Sequence, residues 1–315
     1  MPWLGMSCYG ACLLVDVYEV NGVEHGRYHD AVKAILGHHY AIGVSTFQLL
    51  NIFLINITYS ISSAKAMETI ANISCGWHGK SEADCFNSTW ALTIIFGAVQ
   101  VVLSQVRNLE EAWWVSAAGT ITSLGYSLIA LILGCIYASN RLGTVGGIPA
   151  TSVNKTFGIL NALGAIGFSY NFTVILLEIQ DTLRQPPKAA ASMRPAVYWG
   201  ITGSFVLYFV ISVTGYASLG NSVPGFILEG YPDAPRWVLL VANICILLHM
   251  VSAYQVFGQP MFDTIESHVK AWRIRRAQRL TGPGAAEALA RVTPKPKTRC
   301  SMDMAERHAP ALAAA

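Results

Sequence analysis

Charge is scarce in this chain. Only 12% of its 315 residues are Asp, Glu, Lys or Arg, and 53% are hydrophobic. A soluble domain normally carries about 25% charged residues. So few charges cannot cover the surface of a soluble protein of this length, and they favour a single membrane domain with several spans.

Signatures of enzymes and metal sites are also lacking. The sequence contains no GxSxG, Walker A or HExxH motif, and its seven cysteines form no CxxC pair and no zinc spacing. Nine of the 21 basic residues lie between Lys270 and Arg299, after the last apolar run. A nucleic-acid-binding protein would carry such charge on a folded surface, whereas this position suits a cytoplasmic flank facing anionic lipid. We therefore expect no enzyme, metal, cofactor or nucleic-acid partner.

Apolar runs of helical length recur along the chain. They approach the ~20 residues that an α-helix needs to cross a bilayer, and backbone groups in lipid must be satisfied within the segment. The pattern predicts an all-α polytopic membrane domain over residues 1–266 with about seven transmembrane helices, at 3–20, 40–62, 91–106, 113–137, 157–179, 196–219 and 237–257. Residues 267–315 begin basic and end rich in Ala, which predicts a largely disordered cytoplasmic tail.

Basic residues are unevenly divided between two sets of loops. The richer set, with 11 Lys and Arg, comprises loops 21–39, 107–112, 180–195 and 258–280. The poorer set, with five, comprises loops 63–90, 138–156 and 220–236. The positive-inside rule places the richer set in the cytoplasm. The poorer set contains Cys75, Cys85 and sequons at Asn72 and Asn87, so we expect both asparagines to be glycosylated and both cysteines to be joined in a disulfide on an oxidising side.

Two glycines interrupt one of the apolar runs. Gly164-Ala165-Ile166-Gly167 lies in the first half of 157–179, at a depth where irregular backbone is tolerated only beside protein or a polar cavity. In secondary transporters such a break presents backbone groups and helix ends to a charged substrate. The same spacing also suits a small-xxx-small packing face, and the glycines alone leave both interpretations open.

Polar residues mark the ends and middles of the spans. Glu178, Asp181 and Arg184 follow the glycine pair at the cytoplasmic end of 157–179, where they suit an interface clamp or a gate that pairs with a basic residue elsewhere. His249 lies in the middle of 237–257 and suits either proton exchange or a neutral hydrogen bond between helices. The other inward polar candidates, for substrate contact or for packing, are Asn51, Asn56, Tyr59, Asn243 and Tyr254.

Seven spans also suit a heptahelical receptor. A retinal pump needs a lysine in its last helix, and 237–257 contains none. A receptor-like protein, or a structural membrane protein without transport activity, leaves the glycine interruption unexplained. Secondary transport accounts for both the interruption and the mid-membrane histidine.

Four blocks of sequence resemble the amino acid/auxin permease family of plants and algae, which has the LeuT-like fold. The blocks are NALGAIGFSYNFTVILLEIQDTLRQPP (161–187), SQVRNLEEAWWVSAA (104–118), TGYASLGNSVPGFIL (214–228) and NICILLHMVSAYQVFGQPMFDTIE (243–266). Their order and spacing make the resemblance specific over residues 2–266.

This resemblance implies proton-coupled amino acid transport by a partial LeuT-like bundle, in which the seven spans correspond to the family's second to eighth helices. Residues 157–179 are then its discontinuous sixth helix, and His249 is the proton-coupling residue. The resemblance also implies substrate-binding residues at the break and facing it: Gly164, Ile166, Gly167, Phe168, Ser169, Tyr170, Asn51, Tyr59 and Asn243.

The chain also departs from the family pattern. The family's first helix, which carries the other unwound half of the site, and its last helices have no counterpart, and Arg107 stands where the family usually has proline. We therefore expect a fragment that does not transport alone. We expect amino acids and protons as its transported partners, lipid around it, and the plasma membrane rather than an internal membrane as its location. The sequence does not distinguish which amino acid or related acid is carried.

Overall fold

The computed structural model describes residues 2–79, 85–105, 113–139, 143–183 and 185–281, which are mostly helical. In chain order the helices are α1 (Pro2–Val17), α2 (Tyr28–Leu36), α3 (His38–Trp77), α4 (Thr89–Ser104), α5 (Trp113–Tyr137), α6 (Ser152–Phe168), α7 (Leu176–Asp181), α8 (Ala189–Leu219) and α9 (Arg236–Thr281). Between α1 and α2, the strands β1 (Glu19–Val20) and β2 (Val23–Glu24) pair as a short antiparallel hairpin. The predicted all-α membrane architecture is confirmed.

Four helices are long and apolar enough to cross a bilayer, namely α3, α5, α8 and α9. The pair α6 and α7 makes a fifth candidate as one span with a 45° bend, and α1 and α4 are shorter apolar helices. By length and apolarity the described residues therefore give four or five spans. The predicted count of seven stays a prediction.

The ends of the helices meet in two groups. In one group Lys188 pairs with Glu19 at 3.3 Å and Arg27 pairs with Asp263 at 3.7 Å, which joins the segments after α1 and α7 to α9. We call it the hairpin end, because it carries β1 and β2. In the other group, Lys65 of α3 pairs with Glu229 at 3.2 Å. We call this group the disulfide end, because it carries Cys75 and Cys85.

These two groups coincide with the two loop sets that differ in basic residues. At the disulfide end, the Asn221 side chain after α8 donates to the Gly147 carbonyl before α6 at 2.9 Å. The 40-residue helix α3 runs from the hairpin end at His38 to the disulfide end at Trp77. Loops of the poorer set thus contact one another at one end of the bundle, as an alternating membrane topology requires.

Two buried clusters hold the helices together. The first joins α3, α5 and α9 to the segment before α9, and it is built around Tyr231 with small residues such as Ala66, Ala130 and Ala242. Small side chains let neighbouring helix backbones approach closely. The second joins α1 and α8 to the segment around α7 through residues such as Val15 and Leu176. The broken span is thus anchored to the bundle through α7.

The disulfide end holds the predicted disulfide and sequons together. Cys75 and Cys85 are bonded, with their Cα atoms 6.0 Å apart. Asn72 lies near the end of α3, and the Asn87 side chain before α4 donates to its Oδ1 at 3.3 Å. Glycosylation of the two asparagines stays a prediction.

Helix α9 continues into residues 267–315, the segment that the sequence predicts to be a largely disordered tail. It extends to Thr281, so the beginning of the segment 267–315 is helical rather than disordered. The Lys270 ammonium pairs with Glu266 one turn earlier at 2.6 Å, a spacing that supports an exposed helix. Residues 282–315 lie outside the described residues, and their predicted disorder stays a prediction.

Candidate functional site

The discontinuity predicted in 157–179 is present, but it lies after the glycine pair. Helix α6 runs through Gly164 and Gly167 and ends at Phe168. The chain then turns at Ser169 and Tyr170 before the 3₁₀ turn Asn171–Ile175 leads into α7. A helix in lipid keeps its backbone hydrogen bonds unless other groups replace them, and a glycine weakens it by only about 1 kcal/mol.

The glycine pair also makes no close packing contact here. No atom of the described residues outside the helix's own local backbone lies within 4 Å of a Cβ built on Gly164 or Gly167. Ile166 and Phe168 are exposed as well, and the Ser169 hydroxyl donates to the Ala165 carbonyl of its own helix at 3.0 Å. These predicted substrate contacts lie on different sides of α6 in its last turns, and the helix is exposed on all sides from Ser152 to Ile166.

Side chains of α3 satisfy the polar groups that the break exposes. The Gln48 amide donates to the Val174 carbonyl at 2.6 Å and to the Glu178 carboxyl at 3.0 Å. One turn further along α3, Asn51 Oδ1 accepts a hydrogen bond from the Asn171 side chain at 2.6 Å. These residues form the polar centre of the site. Sequence reasoning identified Asn51 and Glu178, but it missed Gln48, whose i, i+3 spacing to Asn51 is a signal for a shared face.

The aromatic candidates lie on two sides of this centre. Tyr170 is buried among residues of α1 and α8, with its ring centroid 6.4 Å from that of Tyr208. Tyr59 lies two turns beyond Asn51 on α3, and its ring meets the Phe257 ring of α9 edge-on at 5.7 Å. The structure thus places Tyr170 at the break and Tyr59 at the interface of α3 with α9.

Asn243 lies elsewhere, at the disulfide end of α9. Its amide donates to the Leu239 carbonyl at 2.8 Å, and its buried Oδ1 has no hydrogen-bond partner among the described residues. It lines a cavity of about 90 Å³ together with Thr69 and Glu229. Such a space has room for about three water molecules. The structure does not bring Asn243 next to the broken span.

His249 contacts α5 in the middle of the bundle. Its Nδ1 lies 2.9 Å from the Gly119 carbonyl oxygen. Because a carbonyl only accepts, Nδ1 carries the hydrogen and Nε2 is left to accept a proton. The ring also meets the Tyr126 ring edge-on at 5.7 Å. The geometry therefore contains the predicted interhelical hydrogen bond and leaves one nitrogen for proton exchange.

The predicted gate residues contact the hairpin. The Tyr18 hydroxyl donates to Asp181 at 3.0 Å, and a Cβ built on Gly26 would overlap the Asp181 carboxyl group. The third predicted gate residue, Arg184, lies outside the described residues. Residues on either side of the hairpin thus contact Asp181 at the end of α7.

Glu178 occupies the inner side of this contact. Its Oε1 accepts from the Gln48 amide at 3.0 Å, and the Tyr28 backbone and the Arg27 guanidinium lie nearby. Its Oε2 is buried and has no hydrogen-bond partner within the described part of the chain. Burial raises the pKa of the Tyr28 hydroxyl to about 12, with a smaller contribution from Glu178, so this hydroxyl stays neutral. Arg27, the basic residue near Glu178, pairs with Asp263 of α9 and not with a gate carboxyl group, and the pairing predicted for the gate stays a prediction.

A bundle of apolar helices with one broken, polar-lined span is an architecture of secondary transporters. The family described as "Transmembrane amino acid transporter protein" matches residues 4–300, and the chain belongs to this family. It is a family of transporters, not of enzymes, as the missing catalytic motifs predicted.

Three curated relatives from Arabidopsis thaliana show this similarity. Amino acid permease 4 is 36% identical over 277 residues, which cover 84% of this chain and 59% of the relative. Amino acid permease 2 is 36% identical over 84% of this chain and 56% of its own length, and Lysine histidine transporter-like 4 is 29% identical over 86% and 60%. The chain spans about three fifths of the length of these relatives. No solved structure matches it.

Proposed function

We propose that this chain forms a secondary active transport unit that carries amino acids across a membrane, driven by protons. The observation that carries the proposal is the break at Ser169 and Tyr170, where a membrane-depth helix ends and side chains from α3 meet the exposed backbone. The names of the relatives, amino acid permeases and a lysine histidine transporter-like protein, support an amino acid as the cargo. The plasma membrane is the proposed location.

The groups at the break suit the two charges of an amino acid. The carbonyls at the end of α6 carry the negative end of the helix dipole, so they favour the ammonium group. Amide groups such as those of Gln48 and Asn171 can donate to the carboxylate. We propose that the exposed end of α6, from Gly164 to Ser169, lets the substrate approach these groups, with Asn51, Tyr59 and Tyr170 around it.

Closure at the hairpin end would control release on that side. Opening the exit requires the Tyr18 hydroxyl to leave Asp181 and the Arg27 guanidinium to leave Asp263. Glu178 lies beneath these contacts, where Gln48 links it to the break. We therefore propose that Glu178 and Asp181 sense whether the hairpin is closed, and that His249 takes up and releases the coupling proton.

Two measurements on the full chain test the proposal. Purified protein should be stabilised against thermal unfolding by amino acids. Accumulation of labelled amino acids by cells or proteoliposomes when the outside is acidic would show in addition that the chain transports alone. Stabilisation without accumulation would fit the prediction that the chain does not transport alone. If neither effect occurs with any amino acid, the proposed function is wrong.

The glycine pair provides the sharpest variant. Gly167→Leu places a large side chain at the exposed end of α6 next to the break, and we expect it to abolish amino acid stabilisation and uptake. Gly158→Leu lies on the same helix, also with nothing within 4 Å of a built Cβ, and should retain both. Unchanged binding by Gly167→Leu at normal expression would exclude the substrate from the end of α6.

A further inference from the structure

Beyond Pro260, exposed apolar residues of α9 lie on one side of the helix. Ile265, Val269 and Trp272 are 54%, 41% and 57% exposed. At 3.6 residues per turn they fall within about 60° of one another around the helix axis. They form a continuous apolar stripe, which we call the α9 stripe.

The opposite side of the same segment faces the rest of the protein. Asp263, about 160° from Ile265 around the axis, pairs with Arg27 of the hairpin end at 3.7 Å. Lys270 lies on this side too, where its charge is neutralised by Glu266 at 2.6 Å. The α9 stripe is therefore turned away from the bundle and from the paired charges.

Three arginines surround the α9 stripe. Arg273 and Arg275 lie about 80° from Ile265 in opposite directions around the axis, and both are exposed. Arg276 lies over the Trp272 ring, with its guanidinium carbon 5.3 Å from the ring centroid. Throughout the described ranges, no acidic side chain pairs with any of these three guanidinium groups.

The stripe also lies close to the membrane that α9 enters. Ile265 follows Phe257, the last residue of the apolar run, by eight positions, or about 12 Å of helix. Pro260, which lies inside α9, has no amide hydrogen to donate and is a position where the helix can bend. A bend or tilt there would lay the α9 stripe on the bilayer surface.

We propose that the α9 stripe and its three arginines form a docking surface for anionic phospholipids at the hairpin end of the membrane. The apolar side chains would enter between lipid headgroups, and Arg273, Arg275 and Arg276 would bind the phosphates. A second copy of the chain could cover the stripe, but it would bring three more unpaired arginines to the interface. An acidic protein could match the charge, but it would have to be recruited from solution, whereas lipid is already held at the site by the spanning part of α9.

Hydrogen exchange on the full chain tests this docking. The protein is placed in nanodiscs of phosphatidylcholine alone or of phosphatidylcholine mixed with phosphatidylserine, and exchange is followed by mass spectrometry in peptides covering 262–276. We expect protection in the mixed discs that weakens at high salt. Each arginine near an anionic surface contributes roughly a five-fold gain in affinity, so Arg273→Gln, Arg275→Gln and Arg276→Gln together should remove it.

Two further samples separate the alternatives. Lys270→Gln removes a charge from the same helix on the side away from the stripe, and it should keep the lipid-dependent protection. Soluble glycerophosphoserine should not compete, because it lacks acyl chains. Equal protection in both lipid mixtures, protection that appears only with two copies per disc, or protection that only an acidic polypeptide such as polyglutamate induces would each overturn the proposal.

Discussion

At the scale of single residues, Gln48 connects the long helix α3 to the broken span. Its amide donates to the Val174 carbonyl at 2.6 Å and to Glu178 at 3.0 Å. A carbonyl released by a helix break within an apolar bundle has few other donors. One side chain therefore fixes both the backbone of the break and the carboxyl group beneath the hairpin.

Gln48→Leu should destabilise the protein by about 1–3 kcal/mol, because a similar volume is kept while two acceptors lose their donor. Thermal unfolding of the purified protein in detergent measures the loss. Thr58→Val is the matched control on α3, since the exposed Thr58 hydroxyl bonds only to the Leu54 carbonyl of its own helix. Equal stability of both variants would mean that Gln48 does not hold the break in place.

His249 makes a second prediction at this scale. His249→Gln keeps an amide that can donate to the Gly119 carbonyl but cannot titrate, whereas His249→Ala removes both properties. If His249 couples protons, both variants should lose the pH dependence of uptake, and His249→Gln should fold as well as the parent. pH-dependent uptake by His249→Gln would mean that His249 only forms its hydrogen bond with α5 and does not couple protons.

At the scale of helices and loops, the reason why the sequence predicts some parts of the site and not others becomes clear. Composition and block resemblance predicted the broken helix, because a glycine-rich apolar run with charges at its end is visible in one dimension. The break lies less than two turns after the predicted position. Gly164 and Gly167 tolerate a helical backbone, and the bend falls where Gln48 and Asn51 replace the lost hydrogen bonds. Those partners lie more than a hundred residues away, so no local pattern contains them.

The end of α8 gives a prediction at the scale of elements. Gly220 ends the helix with φ +57°, and a Cβ built there would overlap the backbone around Gly143 and Thr144. Gly220→Ala should therefore cost about 1–3 kcal/mol from backbone strain alone. Gly225→Ala, in the same loop with open space around it, should be nearly neutral. A difference below measurement error in thermal unfolding would contradict this account of the helix end.

At the scale of the whole molecule, the number of basic residues in each loop and the contacts between the loops divide the protein into the same two ends. The richer loop set meets at the hairpin end through Arg27 with Asp263, and the poorer set meets at the disulfide end through Lys65 with Glu229. Positive charge alone predicts which loops share a side, but not which side chains close over the broken span. That closure depends on a hairpin whose contact with Asp181 the sequence does not reveal.

The same two ends predict where glycans attach. Asn72 and Asn87 lie together at the disulfide end, so protein from a eukaryotic host should shift in mobility on glycosidase treatment. Asn72→Gln with Asn87→Gln should reduce the shift to what the third sequon on this side, Asn154-Lys155-Thr156, can carry. Asn171→Gln also removes a sequon, but one at the break inside the bundle, and it should leave the shift unchanged. If no shift occurs with Asn72 and Asn87 intact, the predicted topology is wrong. The hairpin end would then face the glycosylating compartment, and the hairpin would close the opposite side of the transport path.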